Sequence, residues 1–172
     1  MNIFRVDEDP VKSAQMLCDK HIVKMPLETA QMLCSVFHRY DFGHLVKYKE
    51  AYKNHPCTRW AGDSRKNYRW LVSHGVELCR EYTRRYGKTH KCQEVIKWVS
   101  ATPLFILDDD ETPQPQCMPD EYKVLDNVVQ AYKNYYIGAK SKIAQWNKSR
   151  SVPAWYTLML DNQLIGVKEN DA

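Results

Sequence analysis

The chain has 172 residues, with 25 Lys and Arg against 21 Asp and Glu, which gives a formal net charge of +4. This length suffices for one domain with a buried core, and the hydrophobic content of 44% and aromatic content of 12% argue against general disorder. No apolar run approaches the roughly 20 residues of a membrane-spanning helix, and the N-terminus is acidic where a signal peptide would be basic and apolar. We therefore expect a cytoplasmic protein that does not contact a membrane.

Apolar residues repeat every three or four positions through most of the chain, as in amphipathic helices. Asp9-Pro10 predicts the start of a helix that runs to about Tyr40, with a kink or restart at Pro26. The residues predicted to face the core from this helix are Val23, Leu27, Ala30, Cys34 and Phe37. Its opposite face carries His21, Lys24, Glu28, Gln31 and Ser35. Further helices are predicted over residues 45–52, 59–86 (ending at Gly87) and 91–100.

The C-terminal part is less regular. Residues 101–118 contain three prolines and an acidic run, which predicts a loop, with a strand-like stretch at 104–109. A third long helix is predicted over 119–140, followed by an irregular apolar segment. The predicted fold is all-α, a compact single domain over residues 1–160 with three long helices, short helices and a long Pro-rich loop. Residues 161–172 are predicted to form a flexible tail.

The six cysteines include no CxxC pair, so in a chain without a secretion signal we expect reduced thiols, mostly in the core. Four His–Cys pairs have the spacing of half a zinc site: Cys18/His21, Cys34/His38, His55/Cys57 and His90/Cys92. None is part of a complete ligand signature. The sequence therefore predicts no metal site.

One face of the first predicted helix combines an imidazole, an amine and a carboxylate, on His21, Lys24 and Glu28. Such groups can supply acid–base or Schiff-base chemistry. The simpler interpretation is a solvated face on which Lys24 and Glu28 form an i,i+4 ion pair. Spacing alone favours the simpler interpretation.

Basic residues cluster in the second long helix, between aromatic residues, a combination that suits phosphates and unstacked bases. The alternative is an amphipathic helix with an Arg-rich outer face. Acids concentrate elsewhere: residues 7–9 and 108–111 hold seven of the 21 carboxylates, which leaves 25 basic residues against 14 acidic ones in the remainder. The nucleic-acid contacts predicted from this cluster are Arg59, Arg65, Lys66, Arg69, Arg84, Arg85 and Lys88.

Two segments carry a family resemblance. MLCDKHIVKMPLETAQML resembles the first helix of the pyrimidine-dimer DNA glycosylases, the phage endonuclease V family, in which an Asp-x-His precedes the catalytic Glu. Asp19, His21 and Glu28 match that spacing. KIAQWNKSRSVPAWY is similar to the family's KIAQ…RP-x-WY ending, and His55 and Thr58 resemble a His-x-Thr element before its second helix. The resemblance spans about residues 10–157, and its specific parts are the first and last segments.

The resemblance implies an all-α DNA-repair enzyme that bends duplex DNA around a thymine dimer and attacks C1′ of the deoxyribose with its N-terminal amine. An imine forms, and β-elimination then cuts the strand. Carried over, Glu28 would be the catalytic carboxylate and His21 would position the sugar or phosphate. His55, Arg150, Trp155 and Tyr156 would contact DNA. This chemistry needs no cofactor.

The chain departs from the family pattern in places. Asn2 is too large to allow removal of the initiator residue, so the nucleophilic amine would be that of Met1, which must then lie within about 3–5 Å of Glu28. Leu27 and Gln31 stand where the family has arginines. Lys24 is an alternative imine-forming amine.

The sequence thus predicts a monomeric DNA glycosylase that acts on damaged or modified pyrimidines in double-stranded DNA, with abasic-site (AP) lyase activity left open. If the gene belongs to a phage, the location is the host cytoplasm. Two alternatives remain. One is a non-catalytic nucleic-acid-binding protein on the same scaffold, and the other is an enzyme that processes nucleotides or modified bases.

Overall fold

The computed structural model describes the backbone of residues 1–170 and the side chains of residues 1–162. All regular elements in this part of the chain are helical, which confirms the all-α prediction, and the strand expected at 104–109 does not form. No helix among the described residues is long and apolar enough to cross a membrane. The helices are α1 (Pro10–Met16), α2 (Asp19–Arg39), α3 (Pro56–Asp63), α4 (Arg65–Tyr86), α5 (Gln93–Ala101), α6 (Val128–Gly138) and α7 (Ala154–Asn170), with 3-10 turns at Gly43–Leu45 and Asp120–Tyr122.

The first predicted helix is in fact two helices, separated by extended backbone at Leu17 and Cys18. The Arg85 guanidinium donates to the carbonyls of Gln15 (2.9 Å) and Leu17 (2.8 Å), which the end of α1 leaves without intrahelical partners. The break is therefore stabilised from α4, by a residue that local periodicity cannot connect to it. The predicted restart at Pro26 does not occur, because α2 continues through this residue.

The second predicted long helix also divides. Ser64 is extended, and its side chain accepts the N–H of Asn67, so that it caps α4 as a new helix. Gly87, in the left-handed region with φ of 66°, ends α4 as predicted.

Three other predictions of local structure are wrong, and one stays open. Residues 45–52 contribute only the end of a 3-10 turn, and the third long helix begins at Val128 instead of Pro119. The segment expected to be irregular becomes helical from Ala154, and the backbone of this helix continues to Asn170. Flexibility of residues 161–172 remains a prediction, and residues 171–172 lie outside the described part.

Helices α2 and α4 form an antiparallel pair at the centre. Asp19, at the start of α2, contacts Arg85 near the end of α4 (3.0 Å). Arg39, at the end of α2, contacts Asp63, the last residue of α3, two positions before α4 begins (2.7 Å). The close approach of α2 and α4 requires a glycine, because a Cβ at Gly75 on α4 would lie 2.7 Å from the methyl carbon of Thr29 on α2. The middle of α2 is thus fixed tightly against α4.

The predicted faces of α2 are partly reversed. Val23 and Leu27 are 45% and 43% exposed, whereas His21 and Glu28 are buried. The N-terminal segment explains the reversal, because it lies over the face that was expected to be solvated: the ring of Phe4 stacks on His21 with centroids 4.1 Å apart. In the first half of α2, the apolar face that was predicted to be buried is therefore partly exposed. The polar face that was predicted to be solvated is partly covered.

Two buried histidines make stability depend on pH. Burial lowers the pKa of both His21 and His74 to about 3, from an ordinary value of 6.5. Between these values the unfolded chain binds more protons than the folded one, so the free energy of unfolding falls as the pH falls from 6.5 towards 3.

We expect His74→Phe, which keeps a ring stacked on Trp70, to reduce this loss of stability, because the substitution removes one of the two buried imidazoles. Urea unfolding at pH 7 and pH 4.5 measures the loss of unfolding free energy between the two pH values. His44→Phe, at an exposed position, is the control and should keep the wild-type pH dependence. An identical pH dependence in His74→Phe and wild type would contradict the claim that buried His74 causes part of this loss of stability.

Candidate active site

The N-terminal residues are fixed by hydrogen bonds from Asn2. Its backbone N–H donates to Glu28 Oε2 (2.9 Å), and its side-chain amide donates to the carbonyl of Cys117 (2.9 Å). Its Oδ1 accepts from the Tyr132 hydroxyl (2.6 Å). The Met1 side chain is only 1% exposed, while the residue as a whole is partly exposed, so the accessible atoms belong to its backbone. The partly accessible backbone of Met1 is thus held by a buried side chain.

Two amines flank one buried carboxylate. The α-amine of Met1 lies 3.6 Å from Oε2 of Glu28, and Nζ of Lys24 lies 3.1 Å from Oε1. The 3.6 Å between the Met1 amine and Glu28 falls within the range of about 3–5 Å expected for a catalytic pair. The two amines differ in constraint, because the Lys24 side chain is 70% exposed whereas Met1 is anchored in the core.

His55 lies beside this group. It is the N-cap of α3, where its Nδ1 accepts the backbone N–H of Cys57 at 3.2 Å. Burial and the α-ammonium group of Met1 lower the pKa of His55, while Glu28 opposes part of the shift. His55 therefore lies close enough to the amine and the carboxylate to sense both charges.

A pair of thiols completes the surroundings of the N-terminus. Cys57 Sγ donates to Cys117 Sγ at 3.5 Å, and this hydrogen bond raises the pKa of Cys57 and lowers that of Cys117 to about 7. Sequence reasoning missed this pair because Cys117 lies 60 residues from Cys57, inside the predicted loop.

His21 is not brought to the carboxylate. It lies seven residues from Glu28, which is about 10 Å along the helix axis. Its Nδ1 is hydrogen-bonded to the Tyr136 hydroxyl at 2.5 Å, in the core. Asp19 is likewise structural, since it accepts from Arg85 and from the backbone N–H of Asn147 (2.7 Å).

The predicted DNA contacts in α3 and α4 form two groups. Arg65 and Arg84 lie near opposite ends of α4, about 28 Å apart along its axis. Because α2 runs antiparallel to α4, Glu28 lies between the two groups along this direction. The exposed members are Arg59, Lys66, Arg69, Arg84 and Lys88, and Arg65 is half-buried in an ion pair with Asp109 (3.5 Å).

Arg85 and Arg150 instead form an internal ion-pair network with Glu81. Arg85 has no exposed side-chain surface, and its Nε lies 3.1 Å from Glu81 Oε2, while Nη2 of Arg150 lies 2.5 Å from Oε1. Burial alone would raise the pKa of Glu81, but the two arginines outweigh it and the pKa is lowered. Arg85 is therefore placed in the core and not on the basic surface where it was predicted.

The two C-terminal aromatic residues also pack inward. Tyr156 is buried and lies against Trp146 with ring centroids 4.8 Å apart, and the half-buried Trp155 packs edge-on against Tyr136. These contacts attach the start of α7 to α6 and the α1–α2 break. A direct contact of these rings with DNA stays a prediction.

The family comparison covers the N-terminal part of this site. A family model described as pyrimidine dimer DNA glycosylase matches residues 1–94, more than half of the 172-residue chain. The matched segment contains the α-amine, Lys24, Glu28 and His55. No curated protein and no solved structure matches the chain. On the family match, the chain belongs to the pyrimidine dimer DNA glycosylase family.

Proposed function

We propose that this protein is a DNA glycosylase that releases a damaged pyrimidine, of the pyrimidine-dimer type, with the α-amine of Met1 as nucleophile and Glu28 as its carboxylate partner. The observation that carries the proposal is the 3.6 Å separation of amine and carboxylate at an anchored N-terminus. Family membership supports the substrate class, and DNA is the expected partner.

The reaction begins when the neutral amine attacks C1′ of the deoxyribose. A bond forms from nitrogen to C1′ as the glycosidic bond breaks, and the departing base takes up a proton. Loss of protons from the attacking nitrogen and opening of the sugar ring give an imine. Glu28 accepts protons and stabilises the positive charge that develops on the sugar.

Strand cleavage would follow by β-elimination. A base removes a proton from C2′ of the imine, and the 3′ phosphate leaves. We assign the acceptance of this proton to Glu28, the carboxylate paired with the amine. The AP-lyase step is therefore part of the proposal.

Met1 is preferred to Lys24 as the nucleophile for two reasons. An α-amine has a reference pKa near 8 and a lysine about 10.4, so far more of an α-amine is neutral near pH 7.5. Met1 is also held by a buried side chain, whereas Lys24 is an exposed chain whose orientation costs conformational entropy. Lys24 instead supplies positive charge beside Glu28.

A basic cleft next to α3 is the proposed contact for the DNA backbone. It has a volume of about 270 Å³, and its lining includes Arg39, Lys53 and Arg59, one turn after His55, together with one acid, Glu50, which pairs with Lys53 (3.2 Å). We expect Arg59→Ala to reduce the steepness with which DNA affinity falls with salt by about 0.9 in log–log slope, as for one lost phosphate contact. Fluorescence anisotropy with an undamaged duplex at several salt concentrations measures the slope.

Lys97→Ala is the matched control, because Lys97 is an exposed cation on α5 outside the predicted contacts. Its slope should equal that of the wild type. An unchanged slope for Arg59→Ala would remove this cleft from the DNA interface.

The activity itself is tested by incubating the protein with ultraviolet-irradiated, abasic and undamaged duplexes. We expect glycosidic-bond cleavage in the irradiated duplex and strand cleavage at the abasic site, with neither in the undamaged duplex. Binding to all three duplexes without cleavage would favour the non-catalytic alternative. Base release from free nucleotides would favour a nucleotide-processing enzyme.

A further inference from the structure

The thiols beside the N-terminus form a cluster that the glycosylase chemistry does not use. Ligand atoms of His55, Cys57 and Cys117 all lie within 4.8 Å of one another. Two thiolates on one tetrahedral zinc ion, with Zn–S bonds of about 2.3 Å, are separated by about 3.8 Å. The 3.5 Å between the two sulfurs is close to this value.

We propose that His55, Cys57 and Cys117 bind one thiophilic divalent cation of the zinc class, and that the bound ion shields the α-amine of Met1. One imidazole and two thiols are ligands that favour zinc over magnesium or calcium, which prefer oxygen. The site joins the N-terminus of α3 to the loop before α6.

The cluster is accessible and its cysteines are held in place. Cys57 is buried, whereas His55 and Cys117 are partly exposed, so an ion can enter from their side. Asn2 contacts both cysteines: its Oδ1 lies 3.7 Å from Cys57 Sγ, and its amide donates to the Cys117 carbonyl. Such outer contacts orient metal ligands.

The same contacts bring the cluster close to the nucleophile. Asn2 lies against the thiols, and the Cα of Met1 is about 3.8 Å from that of Asn2. Three protein ligands leave a fourth position on a tetrahedral ion, which the α-amine or water can take. An ion at this position competes with protons and electrophiles for the nitrogen lone pair.

Binding is tested with Co²⁺ added to the reduced, metal-free protein without DNA. We expect one Co²⁺ per chain, with the near-ultraviolet charge-transfer band of thiolate ligation, and displacement by Zn²⁺. Cys117→Ser, a partly exposed loop position, should lose this band and bind at least about tenfold more weakly, because even the loss of an outer contact to a metal ligand costs about 10–100-fold. Cys79→Ser, a buried thiol outside the cluster, should bind as the wild type does. No thiolate band, or equal binding in Cys117→Ser, would overturn the site.

Shielding is tested by reductive methylation of the α-amine with formaldehyde and cyanoborohydride, quantified on the N-terminal peptide. One equivalent of Zn²⁺ should slow this modification severalfold in the wild type, and Cys117→Ser should show no such effect. Equal rates with and without bound Zn²⁺ would overturn the shielding. Neither readout involves DNA, so these results remain interpretable if the glycosylase proposal fails.

Discussion

Glu28→Gln is expected to lower the rate of base release by about 10²–10⁴-fold, the usual contribution of a positioned acid–base group. Glutamine keeps the size of the side chain and can still accept the N–H of Asn2. It cannot accept a proton from the Met1 amine or neutralise a cationic sugar. Single-turnover cleavage of an irradiated duplex measures the rate, with DNA affinity measured in parallel.

Glu77→Gln provides a matched control, since Glu77 is also a buried glutamate but contacts Gln15 and Arg80 on the α1–α4 side. Its rate should stay within about threefold of the wild type, as expected for a residue that touches no reacting group. A Glu28→Gln rate within about tenfold of the wild type would remove Glu28 from the chemistry.

Arg85→Met is expected to lower the free energy of unfolding by about 3–5 kcal/mol, because it leaves Glu81 and Asp19 with less compensation inside the protein. It also removes the donors to the last carbonyls of α1. The neighbouring Arg84 is exposed, so Arg84→Met should change stability by no more than about 0.5 kcal/mol. Urea unfolding of the three proteins gives the comparison.

The pair also separates a structural role from DNA binding. If Arg85 contacted DNA, Arg85→Met would weaken binding while leaving stability near that of the wild type. That outcome would contradict the buried position of its guanidinium group.

The helical class followed from apolar periodicity, and Gly87 marked the end of α4, because these signals depend only on neighbouring residues. Glu28 was assigned through the resemblance of its segment to the family, in which an Asp-x-His precedes the catalytic Glu. The same resemblance implied that His21 positions the sugar or phosphate, whereas the His21 ring lies in the core against Tyr136. Periodicity failed on α2, since the segment that covers its polar face comes from the N-terminus. Apolar periodicity describes a single helix, so it gives no sign of packing against a segment that is distant in sequence.

Long-range pairings account for the other differences. The end of α1 depends on Arg85, which belongs to α4, and an Arg-rich helix gives no local sign of which guanidinium turns inward. The His55-Pro-Cys57 pair was visible as half of a metal site, but its partner Cys117 comes from a loop that only tertiary structure brings near. A site whose residues come from distant segments of the chain could therefore be identified only from the tertiary structure.

The pairing of the Met1 amine with Glu28 is tested most directly by borohydride trapping on an abasic duplex, followed by tryptic digestion and mass spectrometry. A cross-link through Met1 would appear on the peptide of residues 1–5, and one through Lys24 on the peptide of residues 21–39, because modified Lys24 resists cleavage. We expect the adduct on residues 1–5, retained in Lys24→Ala and strongly reduced in Glu28→Gln. An adduct on Lys24, or no adduct at all, would contradict the account.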